Sequence, residues 1–213
     1  MTQEVRPGNQ QAGTPSVLRP GKQVAEKHTS FLREAIETIL LTLLVFAAVK
    51  VSIQPYHISG PSMQPGLHTG EFVLVNQLAY RFGSAPQRGD VIVFHPPSDP
   101  EGEPYIKRVI AVPGDTVTVT LTQVQVDGVV LNEPYTYPLA PGEIGSGAIL
   151  TDIKLKAGQY FVLGDHRDNS SDSRVFGPVP AQNIIGRAEF VFLPVNNIHM
   201  IDTYHNVFKN VRP

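Results

Sequence analysis

The sequence predicts a mainly β protein, with folded-over antiparallel sheets of barrel-like form behind one N-terminal transmembrane helix. Three observations predict it. A single uncharged apolar run, TILLTLLVFAAV at residues 38–49, lies between Glu37 and Lys50. After it, short runs rich in Val, Ile, Phe and Thr recur, each bounded by Gly, Pro, Asp or Asn, as strands joined by turns require. The 18 Gly and 19 Pro among 213 residues suit many turns and few helices. That length accommodates one ordinary domain with an appendage. A net charge of −2, from 17 Lys and Arg against 19 Asp and Glu, argues against nucleic acid as a partner. The chain has no cysteine, which excludes a disulfide framework, a thiolate metal site and a cysteine nucleophile.

Residues 1–30 read as a solvated, disordered tail, with Pro7, Gly8, Gly13, Pro15, Pro20 and Gly21 among polar side chains and little apolar surface to bury. Residues 31–53 then read as one helix, with Thr29 or Ser30 as cap and Pro55 as terminator. Such a helix reaches about 34 Å at 1.5 Å per residue, enough for a hydrocarbon layer of about 30 Å. Arg33, Glu34 and Glu37 can sit among headgroups, and Lys50 can snorkel. A buried core helix and a cleaved export signal are the alternatives. The run is apolar on all sides and no further helices come after it to cover it, which favours a membrane anchor. Lys22, Lys27 and Arg33 precede the run, and after Lys50 no Lys or Arg occurs before Arg81. The positive-inside rule therefore places the N-terminus in the cytoplasm and residues 54–213 outside.

Within residues 54–213, strands are expected at 72–75, 90–94, 105–112, 116–126, 159–163 and 188–193. Asp127-Gly128 between two valines signals a two-residue hairpin turn. Residues 131–157 hold Pro134, Pro138, Pro141, Gly142, Gly145 and Gly147 and read as a surface excursion.

Three places can carry chemistry. Ser62 lies in Gly60-Pro61-Ser62-Met63-Gln64-Pro65-Gly66, a rigid turn that holds a hydroxyl in place, whether as a nucleophile or as an ordinary turn serine. Its base could be one of seven histidines, although no G-x-S-x-G elbow or other triad motif is present. The other candidate base is Lys107. Alternation in Tyr105-Ile106-Lys107-Arg108-Val109-Ile110-Ala111 places it on one face with Tyr105, Val109 and Ala111. It is there either desolvated or solvated at an edge. The polar loop Gly164-Asp165-His166-Arg167-Asp168-Asn169-Ser170-Ser171-Asp172-Ser173-Arg174 suits an internally paired hydrogen-bond network. As a calcium loop it lacks the mid-loop Gly and terminal Glu of an EF-hand, so no metal is expected.

Taken in order, the anchor, GPSMQPGLHTGEFVLVNQLAYRF, RGDVIVF, YIKRVIAVPGDTV and GDHRDNSSDSRVFGPVP resemble the type I signal peptidases. These are membrane-anchored serine proteases with a Ser/Lys dyad, and the resemblance runs from Phe31 to Pro180. It implies Ser62 as nucleophile, Lys107 as general base and Ser170 as the hydroxyl that hydrogen-bonds and orients the lysine. Asp165, Asp172, Arg174 and Arg108 match charged residues that brace the site, with Gly164 opening their loop. Met63 matches the methionine that helps form the substrate cleft. Gly60 stands where some members carry a serine that assists the oxyanion hole, and His166 stands where asparagine is usual.

The resemblance further implies secretory precursors as substrates, cut after small residues at an A-x-A-like site, a cell-membrane location and no cofactor. Two other readings remain: a self-cleaving repressor-type peptidase with the same dyad, which would need a DNA-binding domain, and a membrane-tethered β module that only binds a partner.

Overall fold

The computed structural model describes residue 2, residues 23–138 and residues 147–212. Apart from residue 2, the expected tail lies outside these up to residue 22, and its remainder, residues 23–30, is helical rather than disordered; the centre of the excursion, residues 139–146, also lies outside. Helix α1 (Gln23–Ser52) begins before the expected cap and ends one residue short of the expected 31–53 span. Its segment Phe31–Ser52, of mean hydropathy 2.0, is long and apolar enough to cross a membrane. Five of its polar side chains are satisfied locally. Arg33 pairs with Glu37 at 2.7 Å, and the hydroxyls of Thr38, Thr42 and Ser52 donate to carbonyls one turn back, so these hydroxyls need no outside partner in an apolar layer.

The remaining elements are β1 (Ile53–His57), β2 (Phe72–Asn76), β3 (Val91–Phe94), β4 (Tyr105–Ala111), β5 (Thr116–Val119), β6 (Val124–Val126), β7 (Val129–Val130), β8 (Leu150–Lys154), β9 (Gln159–Leu163), α2 (Ser173–Phe176), β10 (Val179–Pro180), β11 (Ile184–Leu193) and β12 (His199–Met200). A large antiparallel sheet has the order β1-β2-β11-β3-β4-β9-β10, with β12 beside β11, and a smaller one has the order β7-β6-β5-β8. The fold class expected from the sequence, mainly β with folded-over antiparallel sheets and one N-terminal apolar helix, is the one observed.

The pattern of side chains explains the layering. In β3 all four residues are buried, Val91 and Val93 in one apolar cluster and Ile92 and Phe94 in another, so the strand lies at the centre with both faces covered. β9 alternates likewise: Phe161 and Leu163 pack with the valines of the small sheet, Tyr160 and Val162 with Ile92 and Phe94. Strand β4, between β3 and β9, carries the candidate lysine. A register shift between Val109 and Ala111 breaks the expected alternation. Val109 stays in the cluster of Ile92, whereas Ala111 joins the opposite cluster with Ile110, because a bulge inserts a residue and re-aims the side chains beyond it.

Three other expectations are corrected. Residues 53–57 form an edge strand paired with β2, since Pro55 is tolerated at a sheet edge and not in a helix. Residues 116–126 form two strands around a turn in which Thr120 Oγ1 accepts from Gln123 N. The excursion contains β8, which pairs with β5. Asp152, with φ 54°, interrupts the period-2 pattern that would mark β8 in the sequence. The expected hairpin is present: Asp127 and Gly128 both take positive φ, 49° and 79°, and join Val126 to Val129, as a primed turn demands.

Candidate active site

The turn carrying Ser62 is fixed from beneath. Ile58, Met63 and Leu67 are buried in one apolar cluster, while Gln64 N donates to Pro61 O and Leu67 N to Met63 O, both at 3.0 Å. Apolar anchors at 58, 63 and 67 leave the hydroxyl at 62 facing out of the core. Lys107 meets it from β4. Its Nζ donates to Ser62 Oγ at 2.8 Å and to Ile106 O at 2.8 Å, and it lies 5.4 Å from the centroid of the Tyr105 ring.

Lys107 is only 4% exposed. Burial lowers its pKa from 10.5 to about 8, and the charges of Asp172 and Asp165 oppose that shift only partly. A buried ammonium loses more hydration than these carboxylates return, so the neutral amine is favoured. Among the described residues no carboxylate forms an ion pair with Lys107. Arg108, next in sequence, points to the other face, where Asp165 receives its Nε and Nη2 at 2.9 and 2.8 Å and so compensates its charge. A cleft of about 210 Å³ opens at the dyad, lined by His57, Gly60, Ser62, Tyr105, Lys107 and Ser171 among others.

The loop after β9 closes the other side. Asp172 caps α2, accepting from Arg174 N, and receives Gly164 N at 3.1 Å and the Arg174 guanidinium at 2.8–2.9 Å. His166 N donates to Ser62 O at 3.0 Å. Gly164 is required by space: a β-carbon there would lie 2.6 Å from Ser62 O and 2.3 Å from Ser170 Oγ, inside van der Waals contact with backbone. Gly164→Ala is therefore expected to displace the Ser62 main chain, lowering kcat tenfold or more and stability by about 1–3 kcal/mol. Parallel kinetics and thermal melts check both.

Such a hydroxyl, hydrogen-bonded to a buried amine of lowered pKa at the rim of a cleft, has the parts of a serine nucleophile with a lysine base. A family model described as signal peptidase, peptidase S26, matches residues 32–193. The chain belongs to that family.

This S26 peptidase is 39% identical to a Synechocystis protein named "Probable signal peptidase I-1" over 78% of its own chain and 85% of the relative. It is 37% identical to signal peptidase I of Leptolyngbya laminosa over 88% and 94%, and 33% identical to signal peptidase I of Bacillus amyloliquefaciens over 85% and 98%. A crystal structure of a signal peptidase I from Enterococcus faecalis V583 aligns with a TM-score of 0.43 at 33% identity, covering 48% of this chain and 96% of that one.

In the peptidase, Ser62, Lys107 and Gly60 meet at the cleft, and Asp165, Arg108, Asp172, Arg174 and Gly164 form the surrounding polar frame. Two residues are placed differently from the expectation. Met63 is buried under the turn at 1% exposure and supports the Ser62 turn from inside the core. Ser170 Oγ is buried without a hydrogen-bond partner; the amine that the resemblance assigns to it is directed to Ser62 and Ile106 instead. Four residues of the frame were not singled out from sequence. Tyr135 and Tyr204 stack on the Arg108 guanidinium, 4.4 and 5.2 Å from its central carbon, and Glu133 pairs with Arg167. The unusual Glu-Pro-Tyr-Thr-Tyr run at residues 133–137, polar and aromatic within a proline-rich stretch, is a signal for Glu133 and Tyr135 alone.

Proposed function

We propose that this S26 peptidase is a membrane-anchored endopeptidase that removes N-terminal signal peptides from exported precursors after small residues, with Ser62 as nucleophile and Lys107 as general base. The observation that carries this reading is the 2.8 Å contact of Lys107 Nζ with Ser62 Oγ, made by an amine whose pKa is lowered to about 8. Ser62 Oγ attacks the scissile carbonyl while neutral Lys107 takes its proton. The Ser62 N–H faces the developing oxyanion, and the open space at Gly60, where a β-carbon would meet nothing within 4 Å, leaves room for that oxygen. Lys107 then returns the proton to the leaving amine, freeing the mature protein. Water, deprotonated by the same amine, hydrolyses the ester and releases the signal peptide. Once Oγ turns to substrate, the unpaired Ser170 hydroxyl is the acceptor we assign to Nζ.

The precursor chain enters the cleft extended beside a strand edge, offering alternate side chains to shallow pockets that admit only small ones. Helix α1 anchors the chain with its N-terminus in the cytoplasm. Exposed Phe72, Leu193, Val195, Ile198 and Met200 on and beside β2, β11 and β12 give the catalytic unit apolar surface to lay against lipid.

Purified peptidase is expected to cut a model precursor at one bond, after an A-x-A-like sequence, with the cut mapped by mass spectrometry. Cleavage at scattered sites, or none, overturns the substrate assignment. Because the chain lacks cysteine, single cysteines placed before and after α1 test orientation with an impermeant thiol reagent. Labelling of both positions, or of the N-terminal one alone, in sealed cells overturns it.

A further inference from the structure

Residues 131–138 are not an idle connection. They run against the loop at residues 164–174, which has no large apolar side chain between Leu163 and Val175 and so cannot be seated by hydrophobic burial. The connection seats it with polar contacts instead. Glu133 Oε2 and Oε1 receive Arg167 Nη1 and Nη2 at 2.8 and 2.7 Å, and Arg167 Nε donates to Gly164 O at 3.0 Å. Tyr135 OH donates to Glu133 Oε1 at 2.7 Å. Tyr137 N donates to Asp165 O at 2.9 Å, and the Tyr137 ring stacks on His166 at 4.2 Å. The loop, in turn, holds the nucleophile: His166 N donates to Ser62 O, and Gly164 lies directly against that carbonyl.

We infer that Glu133 is a positioning residue: through Arg167 it fixes residues 164–166, and through them the main chain of Ser62 against the substrate carbonyl. The inference rests on Ser62 being the nucleophile. A mostly buried ion pair such as Glu133–Arg167 adds little net stability, because desolvation offsets most of the attraction. Its two parallel hydrogen bonds do fix direction. Glu133 has no contact with Ser62 or Lys107 in the structure, so its removal acts on geometry and leaves the base's proton affinity in place. Small displacements of a reacting atom are enough to slow turnover by about 100-fold.

The test uses the full chain with Glu133→Ala and Glu133→Gln. For Glu133→Ala, kcat is expected to fall about 10- to 100-fold with KM within about threefold. Acylation of Ser62 by a serine-directed inhibitor should slow by the same factor, and the acid limb of kcat/KM should keep its midpoint. Glu133→Gln retains an acceptor for Arg167 and Tyr135 and should lie between; it also serves if the alanine variant fails to fold. Adding Glu133→Ala to Arg167→Ala should cost nothing further, since the pair acts as one unit. Amide exchange at His166 should quicken in either Glu133 variant. Unchanged kcat, a loss confined to KM, additive losses in the double variant, or unchanged exchange at His166 overturns the inference. Turnover by Ser62→Ala would instead overturn the dyad, and the exchange result would still decide whether Glu133 holds the loop.

Discussion

Ser62→Ala is expected to remove peptide cleavage, by on the order of 10⁶-fold in kcat, the scale found when a serine nucleophile is deleted from a proteolytic site. The fold should survive. The contacts that hold the turn are the buried side chains of Ile58, Met63 and Leu67 and main-chain bonds at residues 61–67, none of which uses the Ser62 hydroxyl. Its acceptance from His166 N is also made by the carbonyl. Lys107 keeps its bond to Ile106 O, so no buried amine is left wholly unpaired. A melting midpoint near that of the parent, with no turnover of a mapped precursor, is the outcome that fits. Turnover within tenfold of the parent would eliminate the serine mechanism. Alanine at any of the seven histidines should leave most activity, because the group hydrogen-bonded to Ser62 Oγ is the Lys107 amine. A loss of several orders of magnitude at one of them would install an imidazole in its place.

Lys107→Arg is expected to be inactive, since a guanidinium stays protonated throughout the working range and cannot accept the Ser62 proton. In the parent the sign of the pH dependence comes from the lowered pKa. An amine titrating at about 8 is about one-tenth neutral at pH 7. Thus kcat/KM should fall about tenfold per pH unit below that point and level off above about pH 9. An unperturbed lysine would place the same limb more than two units higher. Small primary amines added to a Lys107→Ala variant should restore part of the activity. Near-normal cleavage by Lys107→Arg, or a flat profile between pH 6 and 9, would end the general-base assignment.

The fold was legible where one pattern governs one element. The apolar run, the alternating or fully apolar strands and the Asp127-Gly128 turn each carry their own local signal. It was obscured where a long-range contact overrides that signal. Asp152 at positive φ breaks β8, the bulge after Val109 sends Ala111 to the opposite core, and Pro55 is acceptable only because β1 is an edge. The site divides in the same way. Ser62 and Lys107 lie in distinctive local sequences, and the resemblance joins them. Glu133 and Arg167 are ordinary charges in the sequence, and only the fold shows that they are mostly buried and face each other. Ser170 marks a further limit, because sequence can supply a hydroxyl but not say whether its partner is in reach.

The position of β11 also bears on how the molecule forms. It lies between β2 and β3, so these strands, neighbours in sequence, cannot pair with each other in the native sheet and must await a partner 90 to 121 residues downstream. Asn76, for example, finds Arg187 opposite it and binds Glu189. Closing such long loops costs entropy before any contact returns it, which slows folding. The turn of Ser62 leads directly into β2, and Lys107 lies on the strand next to β3. Ser62 and Lys107 are therefore brought into register only after residues 184–193 have been made and have inserted. A chain still emerging from synthesis carries both side chains of the proposed dyad but does not yet have them assembled, so on that proposal hydrolytic competence arises at the end of folding rather than along the way.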